Sequence, residues 1–458
     1  MNLVPVQELC YYSFSQYQSW FRTDEDTTQE IINSLIVKNI LKKPSREVSD
    51  NEEVDEDIFY DTEQQVFAFK CVGIIIRDKT CFFVYPKYID NIKNDKENGY
   101  TKFKQIISVI ENCEKIKKKS SSLAEYNDNQ TFDKLVFTIE LLKDYYENGI
   151  YLDDRKVIEE NGAGEILWEK TINDQNAYFS NDVPVYLDLY TVNNTVNADS
   201  IFTRLHSCVL SRCCEEMQDI LEFLDLIPVS ISDEQLDNFG NAEYLTQCLE
   251  QELRTQFVTS KQEILKKLLI YINKKEIYNK NGDIYFVGTN SFNLVWEDVC
   301  AKVMGNCLDK TLEQLELKIP SDAKETDRLQ DLIPKPQWKP RSCNKIHEKK
   351  TLKPDLISLE GNIFHIYDAK YYNIQLDDIK VENNPGIGDI IKQYLYAKPY
   401  MELVDENNLM IKNTFLMPYD GMEEVVLGEV SISLFDNMKP IEIILKPCEK
   451  MFKKYLKL

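Results

Sequence analysis

The sequence predicts a mixed α/β protein. A β-rich and helical N-terminal region precedes a C-terminal core, in which a mixed central sheet is flanked by helices. Three observations predict this. Val66–Ile76 and Thr80–Tyr85 are rich in β-branched and aromatic residues and read as a hairpin across Arg77-Asp-Lys79. Several stretches between residues 100 and 275 repeat apolar residues at helical spacing. From about Glu276 onward, strand-like and helix-like segments alternate, the pattern of an α/β core.

Residues 1–44 read as a small helical start, followed by an acidic run. Nine carboxylates fall between Glu47 and Glu63 with little apolar content, which predicts a solvated linker. Pro86 ends the second hairpin strand. Phe103–Lys118 and Phe132–Glu147 read as amphipathic helices, the second stopping at Asn148-Gly149. Residues 150–190 read as a compact β insert, and Phe202–Phe223, Asp233–Leu249 and Gln262–Asn273 as helices. The expected domains are 1–64 (helical segment and linker), 65–275 and 276–458.

The chain has 458 residues and a formal net charge of −23, with 43% hydrophobic residues. That hydrophobic fraction supports real cores and excludes a disordered chain. The charge argues against a protein that coats nucleic acid with its whole surface, but leaves room for a local basic cleft. The start has neither the basic region nor the apolar run of a signal peptide, and no apolar stretch approaches membrane-spanning length. A cytoplasmic protein is expected. Cys208, Cys213 and Cys214 lie near His206, but their spacing fits no standard zinc pattern, so buried reduced cysteines are expected. There is no Gly-x-x-x-x-Gly-Lys-Ser/Thr phosphate loop, no Gly-x-Ser-x-Gly elbow and no His-Glu-x-x-His. Gly386-Ile-Gly388 reads as a helix-start turn.

The chemistry concentrates in residues 352–372. The segment parses as two antiparallel strands around Glu360-Gly-Asn362, with Asp355 opening the first. Asp368 and Lys370 stand two residues apart near the end of the second, so strand alternation places them on one face and Ala369 opposite. Ile363, Phe364 and Ile366 would bury that strand, and buried charges need partners. Asp355 and Asp368, with the Ala369 carbonyl, make a hard oxygen set suited to Mg²⁺. Lys370 beside it could stabilise charge on an attacked phosphate, so the group fits phosphodiester hydrolysis. Lys335–Lys353 carries seven basic residues and one acid. Of these, Lys339, Arg341, Lys345, Lys349, Lys350 and Lys353 are the expected phosphate-backbone contacts.

Pro354-Asp355 followed by Asp368-Ala369-Lys370 resembles the PD-(D/E)xK nuclease superfamily. That resemblance implies a further acid on a preceding helix, and Glu297, 58 residues before Asp355, matches the place. On the helix after the lysine strand, Gln393 and Tyr394 would orient the lysine or a phosphate. The likeness is closer to one family. Val72-Gly73 with Pro86-Lys-Tyr88, Leu142–Tyr151 with Asn161–Ile172, Gly288–Glu297, and Pro354–Tyr372 together resemble the LlaJI restriction endonucleases, relatives of the McrC nuclease subunit. The resemblance implies a Mg²⁺-dependent DNA endonuclease subunit with Glu297, Asp355, Asp368, Lys370 and Gln393 as catalytic residues. Asp355, Asp368, Ala369 and Glu297 would hold the metal. It also implies an AAA+ GTPase partner of the McrB type that recognises DNA, with about residues 65–275 docking on it; the missing phosphate loop agrees. An adaptor that only stimulates such a motor, and a stand-alone type II endonuclease, are the alternatives.

Overall fold

A computed structural model describes residues 2–44, 65–77, 80–120, 134–181, 183–197, 199–278, 284–320, 323–341, 346–348 and 351–457. The acidic run at 47–63 lies outside them. The chain forms two compact units: Met1–Asn127 with Phe286–Leu458, and Asp128–Tyr285. The structure thus groups the two ends of the chain together, whereas the sequence boundaries at 64/65 and 275/276 separate them.

The first unit contains the mixed sheet that carries the chemistry. Its strand order is Leu356–Glu360, Ile363–Ala369, Met410–Tyr419, Ile441–Pro447 and Val425–Val430. The three inner strands run parallel and the two outer ones antiparallel to their neighbours. Ile363–Ala369 is buried along nearly its whole length, as expected for a strand covered on both faces. The helix Ile387–Ala397 lays its apolar side on the sheet, where Tyr394 packs with Phe415, Met417, Ile441 and Ile443. Ile357, Phe364 and Ile366 pack with Tyr396, Ala397, Tyr400 and Leu403. Helices Phe292–Val303 and Cys448–Tyr455 also pack in this unit, against each other and against strands of the sheet.

The same unit holds a second sheet in the order Asn2–Gln7, Thr80–Tyr85, Val72–Arg77 and Ile284–Thr289. The expected hairpin is present, with Ile75 opposite Phe82. The expectation for residues 1–44 needs correction. Two helices do form, Ser13-capped Phe14–Phe21 and Asp24-capped Glu25–Val37. They come after a strand, Asn2–Gln7, which pairs in parallel with Thr80–Tyr85. Its partner lies some 80 residues away, and Pro5 disguises it; an edge strand tolerates proline because one side of its ladder is unpaired.

The second unit carries a three-stranded sheet, Asp153–Glu160, Tyr190–Asn197 and Glu165–Ile166. Helices Lys134–Asn148, Ile201–Glu216, Ala242–Thr255 and Thr259–Tyr278 accompany it. Its insert also contains a short helix, Trp168–Asp174. Cys208, Cys213 and Cys214 are buried on Ile201–Glu216. Beside them, His206 Nδ1 accepts the Tyr151 N–H at 3.0 Å. No helix among the described residues is long and apolar enough to cross a membrane.

Candidate active site

The turn at Gly361, with φ of +58°, folds Leu356–Glu360 back on Ile363–Ala369. Leu356 stands opposite Tyr367, so Asp355 arrives beside Asp368. One hydrogen bond fixes the match: the Ala369 N–H donates to Asp355 Oδ2 at 2.7 Å. Asn306 secures the strand entrance. Its Oδ1 accepts the Ile357 N–H at 3.1 Å, and its Nδ2 reaches the Asp355 carbonyl at 3.4 Å.

Asp368 is 3% exposed and lies in the inner part of the sheet. Lys370 Nζ stands 3.0 Å from Asp368 Oδ2, so the expected same-face pair forms. A second carboxylate holds the same ammonium: Asp389 Oδ1, also at 3.0 Å. Burial alone would lower the Lys370 pKa, but Asp368 and Asp389 outweigh it and hold the ammonium above its usual range. Both carboxylate contacts favour the charged form of Lys370. Asp389 does not stand out in the sequence. It comes from the first turn of the helix Ile387–Ala397, whose N-cap is Gly386. Its only sequence signal is the Gly-Ile-Gly-Asp start, which reads as a turn alone.

Glu297 lies on the helix Phe292–Val303, and its charge acts on Asp355. Trp296, wholly buried, donates Nε1–H to the Leu416 carbonyl at 3.1 Å. That carbonyl also accepts the Lys370 N–H at 2.9 Å. One backbone oxygen thus fixes the glutamate helix and the lysine backbone to each other.

Burial pushes the Asp355 carboxyl far above the usual carboxylate range, and the neighbouring Asp368 and Glu297 carboxylates push it further. Half-buried Asp355 against buried Asp368 calls for a shared proton or a cation between them. The donors are oxygens only, which suits a hard divalent ion rather than a thiolate-seeking one. Among the described residues no three His, Cys, Asp or Glu side chains converge to enclose a metal. The fit therefore rests on Asp355, Asp368 and the Ala369 backbone, with Glu297 acting through its charge.

The remaining expected residues divide. Gln393 is fully buried; its Nε2 donates to the Ile366 carbonyl at 2.9 Å, so it braces the lysine strand instead of touching the lysine. Tyr394 needs correction as a DNA contact. It is 1% exposed, stacks on Phe435 at 4.7 Å, and belongs to the core because the apolar side of its helix faces the sheet. Tyr396, on the same helix, feels the Asp368 and Asp355 charges, after burial, as an upward push on its phenol. Lys339, Arg341 and Lys353 are exposed; Lys353 Nζ donates to Gln330 Oε1 at 2.8 Å. Lys345, Lys349 and Lys350 lie outside the described residues.

A family model described as LlaJI restriction endonuclease matches residues 71–446. The type II restriction enzyme BsuMI component YdjA of Bacillus subtilis (strain 168) is 27% identical over 412 residues, covering 87% of this chain and 83% of that protein. Among solved structures, a chain in the refined half-complex from the tetradecameric assembly of Thermococcus gammatolerans McrB AAA+ hexamers with bound McrC aligns at a TM-score of 0.40 and 12% identity. That alignment covers 100% of this chain and 99% of that one. A chain of the Thermococcus gammatolerans McrBC complex aligns at a TM-score of 0.26 and 11% identity, covering 66% of this chain and 87% of that one.

Proposed function

The chain belongs to the LlaJI restriction endonuclease family, and on that premise we propose that it is the Mg²⁺-dependent DNA-cleaving subunit of a nucleotide-dependent restriction system. It would act on foreign DNA in the cytoplasm, beside an AAA+ GTPase of the McrB type that supplies the motor and recognises the substrate. The observation that carries the cleavage reading is half-buried Asp355 beside buried Asp368, with Lys370 held at 3.0 Å from Asp368. Packing alone does not call for Asp368 on an inner strand with Asp355 and Lys370 at the neighbouring strand ends, because desolvating charged groups costs more than burying apolar side chains.

Asp355, Asp368 and the Ala369 carbonyl would hold the metal. Bound there, Mg²⁺ would screen the phosphate and acidify water near it. Lys370, an ammonium paired with Asp368 and Asp389, would stabilise negative charge gathering on the attacked phosphodiester. Asp389 and Asp368 hold its ammonium, so little reorganisation is needed when that charge develops. Glu297 adds negative charge that favours a cation between the aspartates. Lys339, Arg341 and Lys353, exposed ahead of the site, are proposed to track the DNA backbone.

The chain carries no phosphate-loop motif, so a motor must come from elsewhere. About residues 65–275 are proposed to dock on it, and the unit Asp128–Tyr285 does present exposed Trp168, Tyr178, Phe179, Val183 and Leu187. A second reading has its own support, since the Bacillus relative is named a component of a type II restriction enzyme. In that reading the chain cuts beside other restriction-enzyme chains without a motor. Co-purification from native cells, with nucleotide hydrolysis assayed in the product, separates the two. For cleavage itself, the full chain and its co-purifying partner are incubated with DNA and Mg²⁺. Lys370→Ala is expected to abolish metal-dependent cleavage while leaving the fold and partner binding intact. Equal cleavage by wild type and variant would sink the assignment.

A further inference from the structure

The two aspartates hold the Lys370 ammonium, the Leu416 carbonyl accepts its N–H, and Tyr371 follows it in the chain. That tyrosine is tied away from the site. Its hydroxyl donates to Glu8 Oε2 at 2.5 Å and accepts the Lys87 N–H at 3.2 Å. Both hydroxyl functions are thus used by residues remote in sequence. The ring packs on Phe292, the first residue of the glutamate helix, with centroids 5.3 Å apart. The Lys87 ammonium sits 4.8 Å over the ring centroid.

The anchors are themselves rigid. Glu8 is 8% exposed, and its backbone N–H donates to the Tyr85 carbonyl at 2.8 Å. The adjacent Leu9 N–H donates to the Phe69 carbonyl at 2.9 Å. Gln7 Nε2 donates to both the Lys87 and Ile89 carbonyls, at 3.0 and 2.9 Å, and so holds the turn that presents the Lys87 N–H. Gln7, the last residue of the chain's first strand, and Glu8, which follows it, therefore fix both partners of the Tyr371 hydroxyl. We propose that Tyr371 is a positioning residue for Lys370, and that Gln7 and Glu8 complete the nuclease site from the N-terminal sheet. The assignment rests on the cleavage reading above.

A nuclease fragment cut out from about residue 276 onward accordingly lacks both hydrogen-bond partners of the Tyr371 hydroxyl. Any partner that shifts the N-terminal sheet also acts on Lys370, because the link is a buried hydrogen bond rather than a flexible tether.

The test uses the full chain with its co-purifying partner. Tyr371→Phe removes the hydroxyl alone. Glu8→Gln keeps an acceptor oxygen for it, and Glu8→Ala removes that oxygen. Tyr371→Phe and Glu8→Ala are expected to lower kcat on the order of tenfold with KM for DNA nearly unchanged, because a misplaced cation weakens charge stabilisation without weakening DNA binding. Glu8→Gln is expected to stay close to wild type. Hydrogen exchange read by mass spectrometry, without metal or DNA, is expected to quicken in residues 370–376 of Tyr371→Phe and Glu8→Ala only. Wild-type kcat in both Tyr371→Phe and Glu8→Ala overturns the proposal, as does a loss carried by KM. Having two disrupting variants guards against one that does not fold. If wild type and Lys370→Ala cut alike, the cleavage reading fails instead, and the exchange measurement still decides whether the clamp holds the lysine strand.

Discussion

Asp355 is where stability and chemistry pull apart. Its folded carboxyl titrates far above the unfolded value, first through burial and then through Asp368 and Glu297. A group raised in this way contributes stability that is complete below the unfolded pKa and is lost as pH rises toward the folded one. At neutral pH the folded state therefore keeps this carboxyl protonated, at a cost in stability, unless a cation takes the place of the proton. Asp355→Asn keeps an oxygen for the Ala369 N–H and removes the charge. It is expected to raise stability at pH 7 by roughly 1–2 kcal/mol while ending cleavage. Thermal unfolding without divalent ions checks this, and a lower Tm in the variant would count against it. Asp355, Asp368 and Lys370 are legible in the sequence because they lie within sixteen residues on one hairpin whose alternation fixes their faces. Asp389 and Asn306 are not, because each arrives from another element and only tertiary packing brings it near. Tyr394 is misplaced by a sequence reading because a helix of mixed residues does not announce which side meets the sheet.

The strands and helices explain two pieces of the family likeness. Gly73 has a φ of +147°, and a Cβ there would meet the Val287 carbonyl oxygen at 2.2 Å and Gly288 Cα at 2.5 Å. A Cβ on Gly288 would meet the Val72 carbonyl oxygen at 2.2 Å. The two glycines of separate motif segments thus allow one close approach between adjacent strands. Gly73→Ala is expected to destabilise the first unit by about 2–4 kcal/mol, because backbone rather than a flexible side chain must give way. Denaturant unfolding checks it, and an unchanged midpoint would contradict the contact. Gly164 plays a similar structural part in the second unit, where a Cβ would meet the Val192 carbonyl oxygen at 2.1 Å. The hairpin and long helices are readable because their patterns are local. The strand Asn2–Gln7 is hidden because its pairing is not.

At the scale of the molecule, the two units respond differently to pH. His206, fully buried in the second unit, has its pKa lowered to about 4, first by burial and then by the Lys267 charge. A histidine depressed in the folded state must stay neutral there, so its contribution is present above the unfolded pKa near 6.5 and is lost as pH falls toward 4. The loss is expected to reach about 3 kcal/mol across that window. Denaturant unfolding of wild type and His206→Gln at pH 7 and pH 5 checks it; equal pH dependence in the two would contradict the assignment. The net charge of −23 first argues against a DNA enzyme. Its distribution argues otherwise, since nine carboxylates lie in one short run and seven basic residues precede the aspartate pair. The domain boundaries are the least legible feature. Composition marks linkers along a chain, but it does not say that the first strand and the last helix share one unit.

Whether Asp355 and Asp368 hold a divalent ion decides the chemistry of this chain. Isothermal titration of Mg²⁺, and of Mn²⁺ as a tighter probe, into the full chain and into Asp355→Asn measures this without relying on cleavage. Saturable binding by wild type that weakens on the order of tenfold or more in the variant is the predicted result. Binding that is the same in both would contradict the site.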